Sequence, residues 1–291
     1  MNIEETKIAD LKEIDDQLSS DVPEFPDYLL ALENPLEIFH SEAVKASHPA
    51  EPDLFVRHDG VPAHNQASLG NSRVVGIGAG GLGSSAFVCL ARSGARHLTI
   101  IDDDRVDRTN LSRQFFFAAD LGQPKGICLA RNMVSHAVDG ATITGIGLCF
   151  ADALEKYPLP ADLFVVGVDN NECRLQAVRE ARRRHIPAVF TMLSTDGMRC
   201  QVFSQGPSPL DPCLWCALPN LDPEKIMPCA SAIISSCFLA SAFTVFFAHR
   251  ALMGWGPIKP FNWREADLSG ASPDKTGNVT RRTDCWVCSG I

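Results

Sequence analysis

The chain has little basic charge to spare. Its 291 residues carry a formal net charge of −9, which argues against a nucleic-acid binder, because affinity for a phosphate backbone requires many clustered lysines and arginines. No basic segment followed by an apolar run comes after Met1, so no secretory signal is expected and a cytoplasmic location is. Long hydrophobic runs are also scarce. Only Ala230 to Ala248 is free of charge for close to the length of a bilayer span, and it carries five serines and threonines. Small residues at Ala232, Ser236, Ala240 and Ala242 suit close helix packing, so a buried helix at a homodimer seam is expected and no membrane span. Cysteine is not scarce: there are eleven. Spread through a large chain with 45% apolar content, they read as metal ligands and small core residues in a reducing compartment.

What is present centres on Arg73 to Lys125. Arg73 to Gly78 reads as a short buried strand, and Gly78, Gly80, Gly81 and Gly83 form a turn that opens a helix at Ser84. Such a turn holds phosphate, because glycine lets the backbone approach a ligand and the first helical N–H groups are electropositive. A second strand, His97 to Ile101, ends in Asp102, Asp103 and Asp104, where an acid commonly bonds ribose. A glycine fingerprint alone suits NAD, FAD or ATP. Asn110, Arg113, Gln114 and Lys125 then place donors and two cations beyond the ribose, which nucleotidyl transfer needs and hydride transfer does not.

Beyond Lys125 the pattern Ile127, Leu129, Ala130, Met133, Val134 and Ala137 gives a helix, and strands are expected at Ala141 to Ile146, Leu163 to Val168, Ala188 to Leu193 and Gly197 to Phe203. The continuously apolar Leu163 to Val168 suits a parallel sheet covered on both faces. Helices are expected near Asp152 to Lys156 and from Glu172 to Arg184. The fold class is therefore α/β, a Rossmann-like, doubly wound and mostly parallel sheet with a C-terminal β region. Asp169 sits at the carboxyl edge, where it could hold Mg²⁺ against the phosphates or cap the next helix, as Asn170 and Asn171 could. Cys213 with Cys216 and Cys285 with Cys288 form two Cys-x-x-Cys pairs, matching a four-thiolate structural Zn²⁺ site. Cys89, Cys128, Cys149, Cys173, Cys200 and Cys237 read as core residues.

Residues 1–70 read as an arm and 71–291 as the main domain. Ile3, Ile8, Leu11, Ile14 and Leu18 give an amphipathic helix in the first twenty residues. Prolines at 23, 26, 35, 49 and 52 then interrupt the chain, with short helices expected at Tyr28 to Glu33 and at Leu36 to Ala46.

The segments GxGGLGS, IDDDxVDxTNLxRQ and LGQPK, continued by VVGVDNNECR, FNWREADL and CWVCSG, resemble the MoeB/ThiF/HesA family of sulfur-carrier adenylyltransferases, with its ubiquitin-activating-enzyme-like fold, over about residues 70 to 291. The resemblance implies ATP with Mg²⁺ on Asp169, nucleotide contacts from the glycines, Asp102, Asn110, Arg113, Gln114, Lys125 and Asn170, and catalysis by Arg113, Lys125 and Asp169. It implies adenylation of the C-terminal glycine of a small ubiquitin-like or sulfur-carrier protein. It also points to Cys229, in MPCASAIISS, as the position used by some relatives for a thioester or persulfide step, with a sulfur donor or conjugating enzyme as alternative acceptor. Too few residues separate Cys216 from Cys229 for a separate cysteine domain. The Arg-Tyr-x-Arg-Gln segment through which dimeric members reach into a neighbour's ATP site is absent. Arg57, the one arginine between Met1 and Asn71, is the candidate substitute. Competing readings are a nicotinamide- or flavin-dependent oxidoreductase, a non-catalytic nucleotide-binding scaffold, and adenylation of a peptide or tRNA.

Overall fold

The computed structural model describes residues 35–224, 231–254 and 261–289. The chain divides into two compact units between Pro35 and Leu36. The helices expected within residues 1–33 fall outside the described residues, as does Cys229.

In chain order the second unit runs β1 (Leu36–His40), α1 (Gln66–Asn71), β2 (Arg73–Ile77), α2 (Gly81–Arg92), β3 (His97–Ile101), α3 (Lys125–Met133), β4 (Thr142–Ile146), α4 (Phe150–Lys156), β5 (Leu163–Val166), α5 (Asn171–Arg183) and β6 (Ala188–Leu193). Then come β7 (Arg199–Gln205), α6 (Leu214–Ala217), α7 (Ile234–Met253), β8 (Trp263–Asp267), β9 (Lys275–Gly277) and α8 (Trp286–Ser289). The strands join in one sheet in the order β1-β4-β3-β2-β5-β6-β7-β8-β9. The pairings from β4 through β6 are parallel, while β1 and β7 to β9 pair antiparallel.

Helices on both faces explain why the central strands are continuously apolar. Val74, Leu163 and Val165 join one core with α2, α3 and Phe247, whereas the alternating Val75, Phe164 and Val166 join a second with α4, α5 and the four paired cysteines. The chain leaves β2 toward β3 on one side and later returns to place β5 on the other. A crevice opens at such a switch of direction, at the carboxyl ends of the strands.

Two expectations are corrected. Leu36 to Ala46 does not form a helix: Leu36–His40 is the edge strand β1, paired with β4 from Leu36↔Ile146 to His40↔Thr142. Leu36 and Phe39 are spaced for a helix, yet they lean on opposite cores and the free edge of β4 satisfies the backbone. The glycine-turn helix opens at Gly81 and not at Ser84, with Gly80 as its N-cap. Glycine is a poor helix former, but a side-chain carbon on Gly83 would overlap the carbonyl oxygen of Gly78, so close packing of helix on strand overrides propensity.

α7 is, among the described residues, the one helix long and apolar enough to cross a membrane by length and composition. It lies on α2, β6 and β7. Its Ala240, Ser241, Thr244, Phe247 and Ala248 are buried, and Ser241 Oγ donates to the Leu82 carbonyl at 3.0 Å.

Candidate active site

The crevice is a cavity of about 590 Å³, within the range of small-molecule sites. Gly78, Gly80, Gly81, Asp102, Arg113, Gln114, Lys125, Asp169 and Asn170 line it. Gly78 takes φ +97°, a conformation L side chains disfavour, and thereby turns the chain from β2 into the N-terminus of α2. Gly83 stands one turn inside that helix and serves its packing, not the cavity lining.

Asp102 ties the turn down. Its Oδ2 accepts the Ala79 N–H at 2.6 Å and its Oδ1 the Asp104 N–H at 2.9 Å. A carboxylate retains further lone pairs, so these bonds leave capacity for a hydroxyl donor. Burial pushes its carboxyl up to about 6, against the Ala79 bond and the Lys125 charge, which favour ionisation. The folded carboxyl therefore holds its proton over a range where the unfolded one, near 4, has lost it. This group's contribution to stability is complete below about pH 4 and is lost as pH rises to about 6. Asp102→Asn is expected to flatten that part of a melting-temperature profile; equal slopes in the two proteins would contradict it.

Arg113 and Lys125 bring two cations to the cavity lining. Lys125 is the first residue of α3, with its side chain 9% exposed and its ammonium 2.7 Å from Asp104 Oδ2. Arg113 ends a single 3-10 turn, Arg108–Ser112, and donates to the Thr109 carbonyl at 2.8 Å. Gln114 is buried, and its Oε1 has no hydrogen-bond partner among the described residues. An unsatisfied buried acceptor at a cavity wall is costly unless a ligand donor meets it.

Asn110 is placed differently from expectation. It does not line the cavity: its Nδ2 donates to Asp107 Oδ2 at 2.9 Å and its Oδ1 accepts the Asp107 N–H at 3.1 Å. This reciprocal cap engages one amide hydrogen and one oxygen lone pair of Asn110 and fixes the turn that carries Arg113. On the opposite wall, Asn170 caps α5 by accepting the Glu172 and Cys173 N–H groups. Asp169 is thereby relieved of capping. Its carboxylate accepts no hydrogen bond among the described residues, so the oxygens fit a cation.

The sequence reading missed Arg174. It is buried in the cavity wall, bonded to Asn171 Oδ1 at 2.7 Å. Burial pulls its guanidinium down to about 10, partly offset by the Asp169 charge. An arginine followed by Arg179 and Arg182 to Arg184 on one helix gives no sign of being the inward one. Cys149, Cys173 and Cys237, read as core residues, also line the cavity. Arg57 is exposed in the turn Val56–His58. The neighbouring Phe55 ring lies against Gly94, beyond the C-terminus of α2 and so at the opposite end of that helix from the glycine turn.

Away from the crevice, Cys213, Cys216, Cys285 and Cys288 are all buried, with their sulfurs within 4.8 Å of one another. Cys213 lies 3.9 Å from Cys216 and 3.6 Å from Cys285, and Cys216 lies 3.6 Å from Cys288. Burial and the neighbouring sulfurs push the Cys213 thiol up. The Arg282 N–H points at Cys216 Sγ at 3.4 Å and Arg182 at Cys288 Sγ at 3.6 Å, which suits thiolates. The cluster could hold a metal ion.

A glycine turn, a buried carboxylate and a cation-lined wall at the switch point of a doubly wound sheet are features that α/β folds with a ligand crevice at this place share. The chain belongs to the ThiF family, whose model matches residues 55–287. A stretch of 114 residues is 33% identical to the NEDD8-activating enzyme E1 catalytic subunit of Schizosaccharomyces pombe, covering 39% of this chain but 26% of that protein. A stretch of 185 residues is 30% identical to the SAMP-activating enzyme E1 of Haloferax volcanii, covering 62% of this chain and 67% of that one. The crystal structure of E. coli MccB with MccA-N7isoASN is similar with a TM-score of 0.65 at 21% identity, covering 77% of this chain and 68% of that one; this likeness is one of fold.

Proposed function

We propose that the protein is an ATP-dependent adenylyltransferase acting on the C-terminal carboxylate of a small ubiquitin-like or sulfur-carrier protein. The observation that carries this reading is the convergence of the glycine turn, Asp102, Arg113, Lys125 and Asp169 on one ATP-sized cavity. In this reading the phosphates lie along the turn and α2's N-terminus, with the ribose on Asp102. Asp169 would hold Mg²⁺, which neutralises phosphate charge. An oxygen of the carrier's terminal glycine attacks the α-phosphorus, the bond to the β-phosphate oxygen breaks, and pyrophosphate leaves an acyl-adenylate. Arg113 and Lys125 stabilise the charge that builds on the phosphates, and the protein's part is positioning and electrostatics. The mixed anhydride then passes to a thiol, Cys229 or that of a sulfur donor or conjugating enzyme, which attacks the acyl carbon and expels AMP.

Several further assignments belong to the same proposal. The four paired cysteines bind Zn²⁺: thiolates 2.3 Å from a tetrahedral zinc stand about 3.8 Å apart, close to the 3.6 and 3.9 Å separations here. The protein is a homodimer, in support of which Phe117, Ile233, Ile234 and Phe238 are large exposed apolar residues. Arg57 reaches the neighbouring subunit's site in that dimer, and the enzyme is cytoplasmic.

The test is a pull-down with Mg²⁺-ATP followed by intact mass of the small proteins retained. An adenylate on a glycine terminus is the expected result. Capture of a flavin or nicotinamide with no ATP-dependent adduct would contradict the reading.

A further inference from the structure

Asp104 is unused by the chemistry above, yet it is the carboxylate partner of the Lys125 ammonium among the described residues. The two sides of that pair differ: Lys125 is 9% exposed and Asp104 70%. The Asp104 backbone is fixed on both sides, its N–H to Asp102 and its carbonyl to the Lys125 N–H at 2.8 Å. The side chain can therefore turn into solvent by rotation of its own torsions while the chain around it stays in place. Lys125 cannot follow. It opens α3, whose first turn contains no acidic residue, and a cation at a helix N-terminus is unfavourable unless an anion stands beside it. Asp104 supplies that anion, and both side chains line the cavity.

We infer that Asp104 competes with the phosphates of the nucleotide for Lys125. The cation passes from carboxylate to triphosphate when ATP binds, and back when pyrophosphate leaves. This rests on the ATP reading above and gives Asp104 a separate part, as a positioning residue that speeds release. A largely exposed ion pair is weak, so a triphosphate bearing several charges displaces it. Once the α-phosphate bond is broken, the returning carboxylate opposes the hold of Lys125 on pyrophosphate.

The experiment compares wild type with Asp104→Asn, which keeps the shape and removes the charge, by calorimetric titration of the full chain with ATP and with pyrophosphate in Mg²⁺. Loss of one unit charge beside the ammonium is expected to tighten both ligands about tenfold. Steady-state turnover should slow while single-turnover adenylate formation stays unchanged. Asp103→Asn removes an equal charge from the same cavity rim without contacting Lys125, and should shift pyrophosphate affinity by less than about threefold. Asp104→Glu, which keeps the charge, should restore wild-type affinity, and Asp104→Ser replaces the asparagine variant if that variant melts early. Unchanged or weaker pyrophosphate binding in Asp104→Asn, or an equal gain in Asp103→Asn, overturns the inference alone. Wild-type protein that binds neither ligand overturns the ATP reading and this inference with it.

Discussion

Lys125→Ala is expected to slow ATP–pyrophosphate exchange by about 10²- to 10³-fold, the usual cost of removing one pre-placed group that faces developing charge. Arg113→Ala should fall in the same range but lose less. Removing Lys125 also leaves the Asp104 carboxylate beside the triphosphate without the partner it has at 2.7 Å, so a repulsion is added to a lost attraction. The double variant should be less impaired than the product of the two singles, because the groups act as a unit. A solvated surface cation predicts something quite different, a change within about twofold from screening alone. Exchange measured at saturating carrier protein distinguishes these outcomes.

Cys285→Ser is expected to act on folding. Cys285 and Cys288 flank and enter α8, and the segment before them is held by Arg281, which donates to the Cys288 carbonyl at 2.9 Å. With zinc on the four sulfurs, Cys285 to Cys288 are pinned to the second core beside Trp215. A structural zinc contributes its binding free energy to folding, so loss of a ligand should cost more than about 3 kcal/mol, beyond most single substitutions. Metal analysis should find one zinc per wild-type chain and less in the variant, with a lowered melting temperature. A chelator should lower the wild-type melt in the same way. Exchange activity should fall only with the folded fraction. Wild-type protein that purifies without zinc and melts unchanged in chelator would contradict the assignment.

Much of the fold is legible in the residues because one physical signal dominates. Val74 to Ile77 and Leu163 to Val166 are too apolar for any place but the middle of a covered sheet, and their alternation between two cores is the reason for the unbroken run. The glycine turn is legible because Gly78 requires a positive φ. What was hidden depends on distant partners. β1 is a strand because β4 offers an edge to it, not because of its own spacing. Asn110 carries the family pattern and yet its amide bonds Asp107 three residues away, a local contact that the family pattern does not reveal. Arg174 points inward because Asn171 and the cavity wall receive it, and the Asp104 pairing with Lys125 joins residues 21 positions apart.

The central claim is that Arg113 and Lys125 face a triphosphate held by the turn that starts at Gly78. A crystal structure with Mg²⁺ and a non-hydrolysable ATP analogue tests it most directly. The account predicts phosphate oxygens within hydrogen-bond distance of Lys125 Nζ and the Arg113 guanidinium, the metal ion on Asp169, and the ribose beside Asp102. A dinucleotide pose with both cations turned to solvent, or an analogue bound away from this cavity, would contradict it.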